Sequence, residues 1–208
     1  MVKFLNTGQA CISPNRMLVQ KKLVAPFIEI MVDRVKKLKA GSGLEEGVAV
    51  GPLVNEAAIE KVDKQVKDAV SKGATLHCGG HRLIEEGLSS GFFYAPTVLS
   101  GVTEDMLIYR EETFGPVAPI IAFDDDDDIL AMANDTHYGL AAYIYTQNLS
   151  AAMRTFEGLR FGIVGINDIN PTAAAAPFGG QKESGLGREG GHEGIMEYLE
   201  TKLGGFSI

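Results

Sequence analysis

Tryptophan is absent from these 208 residues, and cysteine occurs only twice, at Cys11 and Cys78. Two thiols make no disulfide framework, so the chain is expected to rely on an apolar core and to work in a reducing cytoplasm. Cations are the minority charge: 19 Lys and Arg stand against 27 Asp and Glu, for a net charge of −8. That balance excludes nucleic acid as the main partner, because phosphate backbones are held by clustered Lys and Arg. No apolar run approaches the roughly 18 residues that a membrane span needs, so no membrane partner is expected. The start, Met1 to Leu5, has no signal-peptide layout. The four histidines, His77, His81, His137 and His192, lack metal-ligand spacing, so no metal site is expected.

What is present is an alternation of strand and helix signals. Met17 to Gln20 reads as a strand. Pro26 suits the first turn of a helix whose apolar face is Phe27, Ile28, Met31, Val35 and Leu38, ended by Gly41 and Gly43. Asn55 can cap a second helix with Ile59, Val62, Val66 and Ala69 as its buried stripe. Gly73 closes it, and a strand follows over Ala74 to Cys78, then a loop from Gly79 to Gly91. Val117 to Phe123 is a strong strand candidate. The five aspartates 124–128 read as a helix start, since acids favour a helix N-terminus and consecutive residues cannot all face one cation. Strands over Leu140–Tyr145 and Gly162–Asn167 flank a helix over Leu149–Leu159. The glycines from Ala176 to Gly191 argue against a regular element there. A short helix around Ile195–Leu199 and an extended tail to Ile208 close the chain. The pattern predicts an α/β fold with a largely parallel sheet flanked by helices.

Three segments carry chemistry. In Asn6-Thr7-Gly8-Gln9-Ala10-Cys11, entered through Phe4, a thiol follows a glycine that lets backbone approach closely. An ionised or base-assisted thiol adds to carbonyl carbon. Taken alone, a single cysteine is more often a small buried hydrophobe, and Cys78 before Gly79 and Gly80 reads as one. In Glu111-Glu112-Thr113-Phe114-Gly115-Pro116, a carboxylate beside an aromatic ring suits a ribose and a flat nicotinamide; alone it reads rather as a charged turn before a strand. Pro177-Phe178-Gly179-Gly180, with Lys182 and Ser184-Gly185-Leu186-Gly187-Arg188-Glu189-Gly190, is a glycine-rich loop that does not follow the strand-to-helix phosphate fingerprint.

In this order and spacing the three segments resemble the aldehyde dehydrogenase superfamily over nearly all 208 residues. Gly162-Ile163-Val164-Gly165-Ile166-Asn167, the 184–190 run and Glu197-Tyr198-Leu199-Glu200-Thr201-Lys202 look like its succinate-semialdehyde dehydrogenase branch. The resemblance implies a catalytic domain over residues 1–191 and a helix and oligomerisation strand over 192–208, without the preceding cofactor-binding domain. It implies NAD or NADP as cofactor, a small aldehyde as substrate, the missing cofactor-binding half as partner, and a homo-oligomer. Cys11 is the implied nucleophile, its own N–H helping to hold the oxyanion. Glu112 is implied to bind the nicotinamide ribose, Phe114 to press near the nicotinamide, and Lys61 to lie near the adenosine ribose. Leu5, Ile12, Thr172 and Phe178 match positions lining the substrate tunnel.

Four departures bear on function. Branch members that oxidise succinate semialdehyde carry an arginine where Leu5 stands, and a serine where Thr172 stands. Ser13 takes the place of a second cysteine that some relatives use as a disulfide switch. The general-base glutamate and oxyanion-hole asparagine belong to the preceding half. Two rivals follow: a catalytically silent oligomerisation fragment of such an enzyme, and a cysteine hydrolase pairing Cys11 with a histidine, for which no partner motif exists.

Overall fold

The computed structural model describes residues 2–85 and 87–208. They fall into two compact units, one ending at Ile129 and the other running Leu130–Ile208.

The first unit opens with a tight 3-10 segment, Val2–Gly8. It continues through β1 (Met17–Gln20), α1 (Lys21–Val35), β2 (Lys39–Ala40), β3 (Val48–Val50), α2 (Glu56–Ser71), β4 (Thr75–Cys78), β5 (Thr97–Ser100), α3 (Leu107–Arg110) and β6 (Val117–Phe123). The main sheet has the order β1-β6-β5-β4; β6 is parallel to both β1 and β5, and only β4 runs antiparallel at the edge. A parallel core strand must be covered on both faces, which explains why β6 is a nearly continuous apolar run. Its Ala118 and Ile120 join Phe4, Met31, Val35 and Val98 in one cluster under α1, while the flanking Val117 and Ile121 are also buried. Pro119 sits one residue before the β1 ladder begins at Met17–Ile120, so its missing N–H interrupts no pairing there.

Helix α2 matches its pattern. The Asn55 side chain accepts the Ala58 N–H at 2.9 Å, and Ile59, Val62, Val66 and Ala69 are buried. Gly73 takes φ +103 just past its end. Helix α1 departs from expectation. It begins at Lys21, not Pro26, because β1 runs straight into it at Gln20; Pro26 lies inside and costs one helical hydrogen bond. It stops at Val35, where Lys36 and Leu38 turn the chain into β2, which pairs in parallel with β3. Leu38 therefore packs on the cluster from outside the helix, and Gly41 and Gly43 follow a strand rather than a helix. Strand β5 went unread: only Val98 and Leu99 are apolar between Pro96 and Gly101, too short a run to show a period.

The second unit contains most of α4 (Ile129–Asn134), then β7 (Ala141–Ile144), α5 (Leu149–Gly158), β8 (Ile163–Ile166) and α6 (Glu193–Met196). Strands β7 and β8 pair in parallel and are joined through α5, whose N-cap Asn148 accepts the Ala151 N–H at 3.0 Å. The aspartate run does precede α4, where it forms its own turn: the Asp127 carboxylate accepts the Asp124 N–H at 2.6 Å, and the Asp127 N–H donates to the Asp124 carbonyl at 3.1 Å. Helix α6 starts two residues before the expected Ile195, drawn back by the Gly194 N–H bond to Gly190 at 2.8 Å. Residues 200–208 are exposed and form no strand within this chain.

Replacing Ile120, fully buried in the central strand, with alanine should lower unfolding free energy by about 2–5 kcal/mol. Urea denaturation measures it; a loss under about 1 kcal/mol would show that the β6 cluster is not the core of the unit.

Candidate functional site

The segment before Cys11 is conformationally expensive. Asn6, Thr7 and Gly8 take φ of +48°, +61° and +77°, a left-handed run that costs non-glycine residues roughly 1–2 kcal/mol each. Side chains hold it in place. Thr7, buried, donates its hydroxyl to the Gly51 carbonyl at 3.1 Å. Gln9 accepts the Val54 N–H at 2.9 Å and donates to the Pro52 carbonyl at 3.2 Å. Cys11 then sits exposed in a turn closed by the Ser13 N–H to the Ala10 carbonyl at 2.8 Å. Ile12 beside it is half-buried, and Leu5 is 59% exposed, far more than an apolar side chain needs unless something covers it.

The second motif is packed directly against the first. A Cβ at Gly8 would collide with the Gly115 carbonyl oxygen and lie within 2.6 Å of its carbon, so only glycine permits the approach. Gly115 is equally constrained from the other side, where a Cβ would meet Val62 of α2 at 2.6 Å. The turn that leads into Gly115 carries Glu112 and Phe114, both exposed, with Phe114 held at φ +49°. The Glu111–Thr113 main chain is held by Asn15 and by Gln65, which is buried on α2. Lys61 is exposed on α2, one helical turn before Gln65. Lys3 is 2% exposed; burial lowers its pKa to about 8, against a pull upward from the nearby Glu112 carboxylate.

In the second unit, Thr172 and Phe178 lie in the loop after β8. Thr172 is half-buried and donates to Asn170 at 2.9 Å. Phe178 is half-buried in a two-residue bridge to Glu189, with both N–H···O distances 2.7 Å. The glycine-rich loop is thus more regular than its composition implies: it includes that bridge and a 3-10 turn, Lys182–Ser184. Arg188 pins it by donating to the Gly180 and Gly187 carbonyls at 2.9 and 2.6 Å.

A family profile for the aldehyde dehydrogenase family matches residues 1–203. The chain belongs to the aldehyde dehydrogenase family. It is 50% identical over 200 residues to the mitochondrial succinate-semialdehyde dehydrogenase of Oryza sativa subsp. japonica, covering 96% of this chain and 37% of that one. It is 48% identical to a probable NADP(+) succinate-semialdehyde dehydrogenase of Sinorhizobium fredii, covering 96% of this chain and 40% of the relative. The crystal structure of an aldehyde dehydrogenase from Brucella melitensis biovar abortus aligns with TM-score 0.90 at 51% identity, over 97% of this chain and 40% of that one. A Staphylococcus aureus betaine aldehyde dehydrogenase in complex with NAD+ aligns with TM-score 0.89 at 38% identity, over 95% and 39%. The chain therefore spans about two fifths of the length of these aldehyde dehydrogenases.

Within the family frame, the structure unites the Cys11 segment with the Glu112–Phe114 turn and places Lys61 on the adjoining helix. Asn15, Gln65 and Lys3 escaped the sequence reading. Gln65 had a legible signal, a polar residue inside the buried stripe of α2; Lys3 and Asn15 had none. Among the described residues, no group of three or more His, Cys, Asp or Glu could hold a metal ion, and no helix is long and apolar enough to cross a membrane.

Two outcomes test this geometry. Iodoacetamide should modify Cys11 before Cys78, because Cys11 is exposed whereas Cys78 is half-buried and burial pushes its thiol pKa up. Peptide mass spectrometry reads the order, and equal labelling would contradict the exposed nucleophile turn. The buried Lys3 predicts a second effect. Its folded pKa lies below the ordinary 10.5, so between about 8 and 10.5 the unfolded chain binds more protons and stability rises with pH. Lys3→Met should remove that rise; the same pH dependence in wild type and variant would show that Lys3 is not buried as an amine.

Proposed function

We propose that this chain is the catalytic portion of an NAD(P)+-dependent aldehyde dehydrogenase, with residues 1–191 as catalytic domain and 192–208 as an oligomerisation tail. It would act with a cofactor-binding half that supplies the general base. The observation that carries the reading is the backbone contact of Gly8 with Gly115, which sets a thiol turn against a turn offering a carboxylate and an aromatic ring. That contact requires glycine at 8, and Val62 behind it leaves no room for a side chain at 115, so the two turns are held at a fixed approach. The exposed Leu203, Phe206 and Ile208 support the tail reading, since an apolar terminus without a partner strand gains nothing from its sequence.

The residues fit the nicotinamide-riboside end of the cofactor. Glu112 would accept hydrogen bonds from ribose hydroxyls, and Phe114 would offer its ring near the nicotinamide; Lys61 would lie toward the adenosine ribose. No strand-to-helix phosphate loop occurs in the 208 residues, so the pyrophosphate is left to the other half. NAD(P)+ supplies the two-electron oxidation when bound. Cys11 performs the covalent work. Its thiolate forms a carbon–sulfur bond to the aldehyde carbon, and the carbonyl oxygen becomes an oxyanion beside the Cys11 N–H. Loss of hydride from that carbon leaves a thioester on Cys11. Water then breaks the carbon–sulfur bond, releasing the carboxylic acid and the thiol.

Leu5, Ile12, Thr172 and Phe178 would line the aldehyde's path. The relatives from Oryza sativa and Sinorhizobium fredii are named for succinate semialdehyde, but Leu5 offers an exposed apolar side chain where a carboxylate needs a cation. Each charge-assisted hydrogen bond forgone is worth about 1.5–3 kcal/mol. An uncharged aldehyde is therefore the favoured substrate. Two free thiols suit a reducing compartment such as the cytoplasm, although the rice relative is named as mitochondrial.

The test joins this chain to the cofactor-binding portion of the rice relative. The product should oxidise butanal with NAD(P)+, and Cys11→Ser should abolish turnover. Succinate semialdehyde should have kcat/KM at least about tenfold below butanal, with Leu5→Arg closing that gap. Turnover surviving Cys11→Ser would sink the mechanism, and a wide preference for the acid unchanged by Leu5→Arg would sink the substrate assignment.

A further inference from the structure

The Glu111–Thr113 stretch is gripped by two side-chain amides. Asn15 donates Nδ2 to the Glu111 carbonyl at 3.0 Å and accepts the Thr113 N–H at Oδ1 at 2.9 Å. Those two main-chain groups flank residue 112, and they are the pair that one residue of a neighbouring parallel strand would engage. One side chain thus does the work of a strand at the place where β6 has not yet begun. Gln65 donates Nε2 to a Glu111 carboxylate oxygen at 3.2 Å and to the Glu112 carbonyl at 3.4 Å. Both partners only accept, which fixes the orientation of that amide.

Gln65 comes at a cost. It is 1% exposed, its Oε1 has no partner, and its neighbours on the same helix face are apolar. An unpaired buried carbonyl oxygen costs about 1–3 kcal/mol, which an aliphatic residue would avoid. Packing alone therefore does not account for glutamine there. The Glu112 side chain, by contrast, is exposed and makes no hydrogen bond among the described residues. Its placement depends on its own backbone, which is what the two amides hold. Asn15 also follows the Cys11 turn closely, so the grip links the thiol turn to the carboxylate by a short path.

We propose that Asn15 and Gln65 are positioning residues that set the Glu112 carboxylate at the cofactor ribose, with Asn15 tying that carboxylate to the nucleophile turn. This rests on the reading of Glu112 as a ribose ligand given above. Neither residue touches a reacting atom; both act through the main chain of residues 111–113.

The first test uses the chain itself. Asn15→Ala should speed amide exchange at Thr113 by about tenfold while exchange in β1 and β6 stays near wild type. Unchanged exchange at Thr113 overturns the grip, and faster exchange throughout the unit reduces Asn15 to a general structural role, which also overturns it. The second test uses the chain completed with the rice relative's cofactor-binding portion. Asn15→Ala should raise KM for NAD(P)+ about tenfold, with kcat and the aldehyde KM within about threefold. Asn15→Asp keeps the acceptor for Thr113 and should fall between, which also covers a poorly folding alanine variant. Asn15→Ala combined with Glu112→Gln should be no worse than Glu112→Gln alone. If Glu112→Gln leaves the cofactor KM unchanged, the ribose reading fails; if it raises KM and Asn15→Ala does not, the positioning inference fails by itself.

Discussion

The first unit depends on one backbone contact, the approach of Gly8 to Gly115 without a side chain between them. Everything of chemical interest is hung from it. On one side the chain is forced through three left-handed residues, a conformation that survives only because Thr7 and Gln9 are bonded to residues 51–54. On the other side Val62 presses Gly115 from α2, so the turn bearing Glu112 and Phe114 cannot retreat. Interiors are close-packed and transmit displacement, so a methyl group at either glycine would move both turns together.

Much of the scaffold is legible in the sequence. Asn55 and Gly73 bracket α2 as written, because a capping amide and a left-handed glycine are local devices that sequence displays directly. The parallel sheet followed from the alternation of apolar runs. Pro26 misled because its rule concerns an isolated helix start, whereas here β1 feeds the helix and fixes its beginning. Strand β5 was invisible because its pairing partner, β6, supplies what its own short run cannot. The site divides the same way. Cys11, Glu112 and Phe178 were found through resemblance to a family that the profile match bears out, although their roles stand as proposals. Asn15 and Lys3 were not found, since a tertiary grip between segments distant in sequence leaves no periodic trace.

The second unit solves a related problem differently. Its Phe178 segment is rich in glycine, yet it is closed by a bridge to Glu189 and by Arg188 across two carbonyls. Gly162 at the start of β8 has no room for a Cβ against the Gly179 carbonyl, so the loop sits on bare backbone there as well. Glycine in such a loop serves close seating rather than freedom of motion.

The left-handed run at Asn6–Gly8 also bears on the order in which the chain folds. Gly8 and Gly115 come from opposite ends of the first unit, so the contact has nearly the longest loop closure that the unit allows. The strain at Asn6 and Thr7 is local and is incurred as soon as the segment bends, while its compensation from residues 51–54 and 115 arrives only after the sheet exists. The thiol segment is thus synthesised before the strands of the main sheet and locked only after they pair. Until then the turn that carries Cys11 bears its backbone strain uncompensated, so the rate of closing the sheet sets when that turn becomes ordered.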